Sequence, residues 1–287
     1  MFHIAKNWAE APEKRIMLFG MSGLGKSYIS SMLRASTKWY HYSVDYRIGT
    51  HYMGEHIVDL CKQEAMRSPL LADLLRSNSI YLGSNITFDN LSPLSTYLGK
   101  PGDPAKGGIP FKEYLRRQRI HRDAEMGAML DTEYFIERSK RIYGYQNFVC
   151  DTSGSLVEVV DPSDVNDPIM LALSKVILPV WIEGAASHTD ELARRFDMAP
   201  KPMYYQEAFL LDLWDKYLFQ NNLTEEKVDP DAFVRWGYLQ LLNHRLPRYR
   251  AIAEAWGITI QAKELEGVRN VEAFETLIQS ALDRNAN

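Results

Sequence analysis

Eight residues, GMSGLGKS (20–27), constrain this chain more tightly than any other stretch. They follow RIMLFG (15–20), an apolar run with β-favouring residues that closes on glycine. A helical pattern starts at Lys26 and carries on to about Arg34. Glycine, lysine and hydroxyl occupy every fixed position of G-x-x-x-x-G-K-[ST], between a strand and a helix, the context that gives the pattern its meaning. The glycines let the backbone curl so that successive amide hydrogens, from Gly20, Met21, Ser22, Gly23, Leu24 and Gly25 on to Lys26, Ser27 and Tyr28, face one anion. The helix N-terminus adds its partial positive charge. Lys26 then reaches the β- and γ-phosphates of ATP, and the Ser27 hydroxyl ligates Mg²⁺. A glycine-rich turn that binds nothing is the bland alternative, and pattern and context together argue against it.

The rest of the chain reads as strands separated by helices. Further strands are expected at WYHYSVD (39–45), NFVCDTS (147–153), VILPVWIE (176–183) and GITIQA (257–262). Helical patterns cover 51–77, which Pro69 should break or kink, and 111–145, with a break near Asp131. Others cover 168–175, 187–196 with Ser187 or Thr189 as cap, and 270–284. The segment 205–256 is mostly helical, punctuated by VDPD (228–231) and RLPRY (245–249). Crossover connections of this kind imply a parallel sheet. The expected fold is therefore α/β, a doubly wound parallel five-stranded sheet. We expect one domain over 1–287 with helical insertions at about 78–145 and 204–255, whose aromatic clusters form the insertions' own core.

A magnesium site needs a carboxylate behind the hydroxyl, and strand ends supply two. Asp151 lies in FVCDTSGS (148–155) and Asp45 in YSVDYR (42–47). Ligands gather at the carboxyl edge of such a sheet, so both strand ends should lie beside the glycine loop. An ordinary strand-end cap is the competing role for either residue.

These motifs resemble those of P-loop NTPases, with Asp151 in the position of a Walker B aspartate. The order of elements is similar to the shikimate kinase and nucleoside monophosphate kinase group, over roughly 14–50, 146–203 and 256–284. That resemblance implies that Asp45 sits by the metal and the acceptor, and that Gly154 binds the acceptor through its backbone. It further implies that Arg194 and Arg195 belong to a lid that closes over the phosphates. Two departures stand out. Shikimate kinases carry a second carboxylate where this chain has Arg47, and a guanidinium there favours a carboxylate or phosphate on the acceptor. Lys201 replaces the lid's usual arginine, so shikimate itself is not the expected substrate. Arg116, Arg117, Arg119 and Arg122 read either as a solvated helical face or as a clamp for an anionic acceptor. HRLPRYR (244–250) poses the same choice.

The 287 residues carry a formal net charge of −4, which gives no support for nucleic-acid binding. No apolar run is long enough to span a bilayer. The two cysteines, Cys61 and Cys150, lack metal-ligand spacing and are expected to be buried, reduced thiols in a cytoplasmic protein. Two functions stand open. One is a kinase in which Lys26, Arg194 and Arg195 neutralise the transferred group and Asp45 orients or deprotonates a small, anionic acceptor. The other is a regulatory ATPase whose nucleotide state is read by a protein partner. A nucleotide-binding module without turnover is opposed by the complete set of Lys26, Ser27 and Asp151.

Overall fold

The computed structural model describes residues 8–285. Five strands, β1 (Arg15–Phe19), β2 (Trp39–Ser43), β3 (Asn147–Asp151), β4 (Leu178–Glu183) and β5 (Ile258–Gln261), form one sheet in the order β2-β3-β1-β4-β5. Every pairing is parallel, so the expected α/β class holds. β1 lies in the centre, with Leu18 level with Asp151 of β3 on one side and Val180 of β4 on the other. A central parallel strand is covered on both edges and both faces, which is why Ile16, Met17, Leu18 and Phe19 can be uniformly apolar and fully buried.

The chain divides into two compact units, one of Met1–Val44, Met126–Ala199 and Trp236–Asn287, the other of Asp45–Glu125 and Pro200–Arg235. The second unit thus draws on 45–125 and 200–235, where the sequence places insertions at 78–145 and 204–255.

The first unit holds the sheet. Helix Lys26–Ala35 packs on β2 and β3, and helix Val271–Asn285 on β5. Helix Phe111–Tyr143 enters this unit at Met126 and runs on without the break expected near Asp131. Tertiary contacts explain the difference. The Tyr42 hydroxyl donates to the Ala128 carbonyl at 2.7 Å, and Thr132 lies fully buried with its hydroxyl 4.0 Å from the Cys150 sulfur.

Helix Pro230–Trp256 likewise passes through Pro247, where the sequence suggests an interruption. An interior proline costs a helix about 3 kcal/mol. Side chains around it anchor the helix in compensation. Arg245 Nε donates to buried Glu158 at 2.7 Å, His244 Nε2 lies 3.6 Å from the same carboxylate, and Arg248 donates to the Val157 and Val160 carbonyls. His244, Arg245 and Arg248 of HRLPRYR are therefore structural ties, while Arg250 stands exposed and meets Glu183 at 3.0 Å.

The second unit has its own core. The Phe111 ring stacks on Trp214 with centroids 4.5 Å apart, and Trp214 meets Phe233 edge-on at 4.9 Å. Trp214, Tyr217 and Phe233 thus pack inward, as their helical spacing implied. Gly102 has φ +136°, and a methyl there would lie 2.4 Å from the Val228 carbonyl oxygen, so only glycine fits. The helical pattern is interrupted before Pro69, between helix Gly54–Ala65 and helix Pro69–Arg76, which Pro69 opens.

Three smaller expectations need correction. Ser187 and Thr189 lie inside helix Ala186–Met198, whose N-cap is Ala185, its amide donating to His188 Nδ1 at 3.2 Å. β2 stops at Ser43, so Asp45 lies in the helical turn Val44–Arg47 and not at a strand end. Both cysteines are free, but Cys61 is exposed while Cys150 is buried. Among the described residues no helix is long and apolar enough to cross a membrane.

Burial pushes the Glu158 carboxyl up, yet Arg245 and His244 hold it below the ordinary value. A lowered folded-state value gives stability that is present above the unfolded value near 4.5 and is lost as pH falls through the folded one. Arg245→Ala should therefore cost about 3 kcal/mol at pH 7 in urea denaturation, because a buried charge loses its partner. The gap to wild type should narrow between pH 7 and a pH acid enough to protonate Glu158 in both proteins. An equal gap at both pH values would contradict the pairing.

Candidate nucleotide site

The loop that follows β1 is shaped by what its glycines allow. Gly20 has φ +138°, and a methyl there would sit 2.7 Å from the Ile182 carbonyl oxygen of β4. The chain can leave the sheet at that point only with no side chain. Gly23 and Gly25 also adopt positive φ, +81° and +92°, and Gly25 is the N-cap of helix Lys26–Ala35. Lys26 is only 6% exposed, and its Nζ donates to the Gly20 and Met21 carbonyls at 2.9 Å each. The ammonium thus lies within the turn of the loop that precedes it. Met21 and Leu24 are buried, whereas Ser22, Ser27 and Tyr28 are exposed, which leaves the Ser27 hydroxyl accessible on the helix's first turn.

Neighbouring elements rim this loop. Leu192 of helix Ala186–Met198 lies at Gly23, and Leu265 lies at Gly25. Residues 152–155 close the other side. A methyl on Gly154 would come within 3.0 Å of Ser22 Oγ, and the Tyr249 hydroxyl donates to the Gly154 carbonyl. The Thr152 amide and hydroxyl both donate to the Leu18 carbonyl, at 3.1 and 3.0 Å. This second loop is therefore fixed to the strand from which the first one springs.

Asp151 is the last residue of β3 and pairs with Leu18 of β1 and Ser43 of β2. It is 6% exposed, and its Oδ1 has no hydrogen-bond partner among the described residues. A buried carboxylate oxygen left unmatched is costly, so the site suits a ligand that supplies positive charge. Hard oxygen donors suit Mg²⁺, which takes one or two protein ligands and completes its shell with phosphate and water. Among the described residues no cluster of three His, Cys, Asp or Glu could hold a metal ion. The Ser27 hydroxyl and the Asp151 carboxylate are oxygen donors of the kind that would suit Mg²⁺.

Arg194 and Arg195 stand exposed on helix Ala186–Met198, both engaged with Glu191 at 2.8 and 2.6 Å. Hydrogen bonds from Arg194, then Arg195, hold the Glu191 carboxyl down to about 2. Asp45 and Arg47 belong to the second unit, at the first and last turn of Val44–Arg47, with the Arg47 guanidinium 5.6 Å from the centre of the Tyr52 ring. The glycine loop, Asp151 and the arginine helix thus come together on the first unit, and Asp45 and Arg47 are carried on the other.

Arg116, Arg117, Arg119 and Arg122 are each engaged by nearby acceptors. Arg116 and Arg117 both hold Glu113, whose carboxyl falls to about 2 through Arg116 first and Arg117 second. Arg117 also donates to the Tyr97 carbonyl, Arg119 grips Glu207 with two bonds, and Arg122 turns to Asp123. Residues 201–205 lie beyond the end of helix Ala186–Met198. Within the second unit, the Met203 carbonyl accepts from Tyr114 and Gln118, and Tyr204 stacks on His121. The sequence reading missed Tyr249 and His41, whose Nε2 lies 3.8 Å from Asp151 Oδ2. A histidine alternating with Trp39 and Ser43 along a strand was the available signal for His41.

No protein-family model matches the chain, and no curated protein does. Among solved structures, shikimate kinase from Bacteroides thetaiotaomicron is similar at 15% identity and a TM-score of 0.41, over 94% of this chain and 98% of that one. A likeness this weak carries no argument, and the fold rests on the strand order itself.

Gly20→Ala should cost roughly 2–4 kcal/mol in urea denaturation, from positive-φ strain and the clash with β4 together. A change under about 0.5 kcal/mol, the ordinary size of a surface substitution, would contradict the described approach of loop and strand.

Proposed function

We propose that this chain binds ATP with Mg²⁺ and transfers the γ-phosphoryl group to a small, anionic metabolite. The observation that carries the proposal is the buried Lys26 ammonium enclosed by the glycine loop, with Asp151, whose Oδ1 is unmatched, at the end of the strand paired with β1. A loop of this shape gathers backbone amides around one anion, and the helix N-terminus adds to the attraction. Ser27 and Asp151 would hold Mg²⁺, which when bound neutralises and orients the phosphate oxygens.

The chain's own groups then have distinct tasks. Lys26 sets its charge against the β- and γ-phosphates. Arg194 and Arg195 are exposed and tied to a single glutamate, and water screens such contacts, so a phosphate can draw them from Glu191 at small cost. Asp45 orients the acceptor hydroxyl or takes its proton, and Arg47 selects an acceptor bearing carboxylate or phosphate. Positioning and electrostatics supply most of the acceleration in phosphoryl transfer, which is what such a site offers. A cytoplasmic setting accords with ATP as the phosphoryl donor.

A regulatory ATPase is the second reading: nucleotide binding would order a lid, and a protein partner, meeting the helices of the second unit, would read the two states.

A screen of metabolite pools for ADP release separates the two. The kinase expects one anionic compound to accelerate ADP release and to acquire the phosphate. The regulatory ATPase expects slow hydrolysis unaffected by metabolites and a nucleotide-dependent complex in pull-down. Lys26→Ala should reduce turnover by at least about a hundredfold while the far-ultraviolet circular dichroism stays unchanged. Undiminished turnover in that variant would contradict the site assignment.

A further inference from the structure

A cavity of about 550 Å³ lies on the first unit, walled by β4 and β5, by helix Pro230–Trp256 and by helix Val271–Asn285. In the parallel register Trp181 lies level with Thr259 and Glu183 with Gln261, so these four side chains share one face of the sheet. Arg250 comes over that face. Its guanidinium carbon lies 5.9 Å from the centre of the Trp181 ring, and Nη2 donates to Glu183 Oε1 at 3.0 Å. No residue of the glycine loop lines the cavity, yet two of its walls back onto that loop. A methyl on Gly20 would lie 3.4 Å from Trp181 Cδ1, and Leu265, next to the lining residue Glu264, lies at Gly25.

The charges of this cavity balance and, with two exceptions, are matched. Glu183, Glu254 and Glu264 line it, and so do Arg250, Lys263 and Arg284. Glu183 accepts from Arg250 and, at 2.7 Å, from the Gln261 side chain. Glu264 accepts from the Gln261 backbone amide at 2.7 Å and pairs with Arg284 at 3.1 Å. Glu254 and Lys263 are exposed, and neither has an ion-pair partner among the described residues. An unmatched carboxylate and an unmatched ammonium thus line one cavity without meeting each other. The Thr259 hydroxyl adds a group that can donate or accept. A net anion such as a nucleotide would face the carboxylates here, and a net cation would face the arginines and the lysine. A dipolar molecule suffers neither repulsion, because its ammonium can face Glu254 while its carboxylate faces Lys263.

We infer that this cavity is a binding site for a zwitterion, a free amino acid or a dipeptide, set behind the glycine loop and not within it. Its volume lies in the range of small-molecule pockets, about 300–1,000 Å³. The inference is independent of the nucleotide assignment and stands whether or not the glycine loop supports turnover.

The test uses the full-length protein with a panel of the standard amino acids and their glycyl dipeptides. Saturation-transfer nuclear magnetic resonance finds the binders, and calorimetry measures them. At least one zwitterion should bind. Its N-acetylated and its carboxamide forms, each lacking one charge, should bind at least about tenfold more weakly. Glu254→Gln and Lys263→Gln should each weaken the parent compound by at least about the same factor, tenfold. Both side chains are exposed, so circular dichroism of the two variants should match wild type. Saturating MgADP should leave the zwitterion bound. The inference is overturned if no member of the panel binds, or if either variant binds like wild type. Equal binding of the single-charge analogues, or displacement of the zwitterion by MgADP, overturns it as well.

Discussion

A buried ammonium held by two backbone carbonyls fixes the working edge of the first unit. Taking a charge out of water costs several kcal/mol unless its protons are matched, and the Gly20 and Met21 carbonyls, each 2.9 Å from Lys26 Nζ, provide the match. The contact closes the loop on itself. It requires Gly20 to leave β1 at a φ that brings its Cα against the backbone of β4, and it places the lysine at the start of a helix whose buried face lies on β2 and β3. The central position of β1 makes this possible, because loops from both neighbouring strands end beside it.

Exposure sorts the arginines into buried and solvated. Arg245 is buried with Glu158, and removing either would strand a charge, so the Glu158–Arg245 pair is architectural. Arg117 is buried too, its guanidinium shared between Glu113 and the Tyr97 carbonyl. Arg194 and Arg195 make equally short contacts but stand in solvent, where such contacts are weak and exchangeable. Clustering in the sequence does not distinguish these cases. Burial does.

Local signals made the sheet and the glycine loop legible. An apolar run, a glycine at its end and a lysine at the helix start are neighbours in the chain, so their joint meaning needs no tertiary information. Errors arose where distant contacts decided the outcome. The helix through Asp131 is sustained by Tyr42 and Cys150, and the helix through Pro247 by residues 157–160, neither of which its own spacing reveals. Tyr249 and Gly154 are 95 residues apart, and Arg245 and Glu158 are 87 apart, so their roles could not be read from either segment alone. Asp45 was expected at a strand end because WYHYSVD is rich in aromatic and β-branched residues, but the backbone turns helical after Ser43. The alternation of side chains along β2 places His41 on the face of Asp151, a consequence visible only once the register is known.

Isothermal titration of the wild-type protein with MgATP, set against adenosine under identical conditions, tests the central claim most directly. A loop that grips phosphate through backbone amides and Lys26 should bind MgATP with a micromolar Kd, of order −8 kcal/mol, and give no measurable heat with adenosine. Equal binding of the two, or no heat with any nucleoside triphosphate, would contradict it.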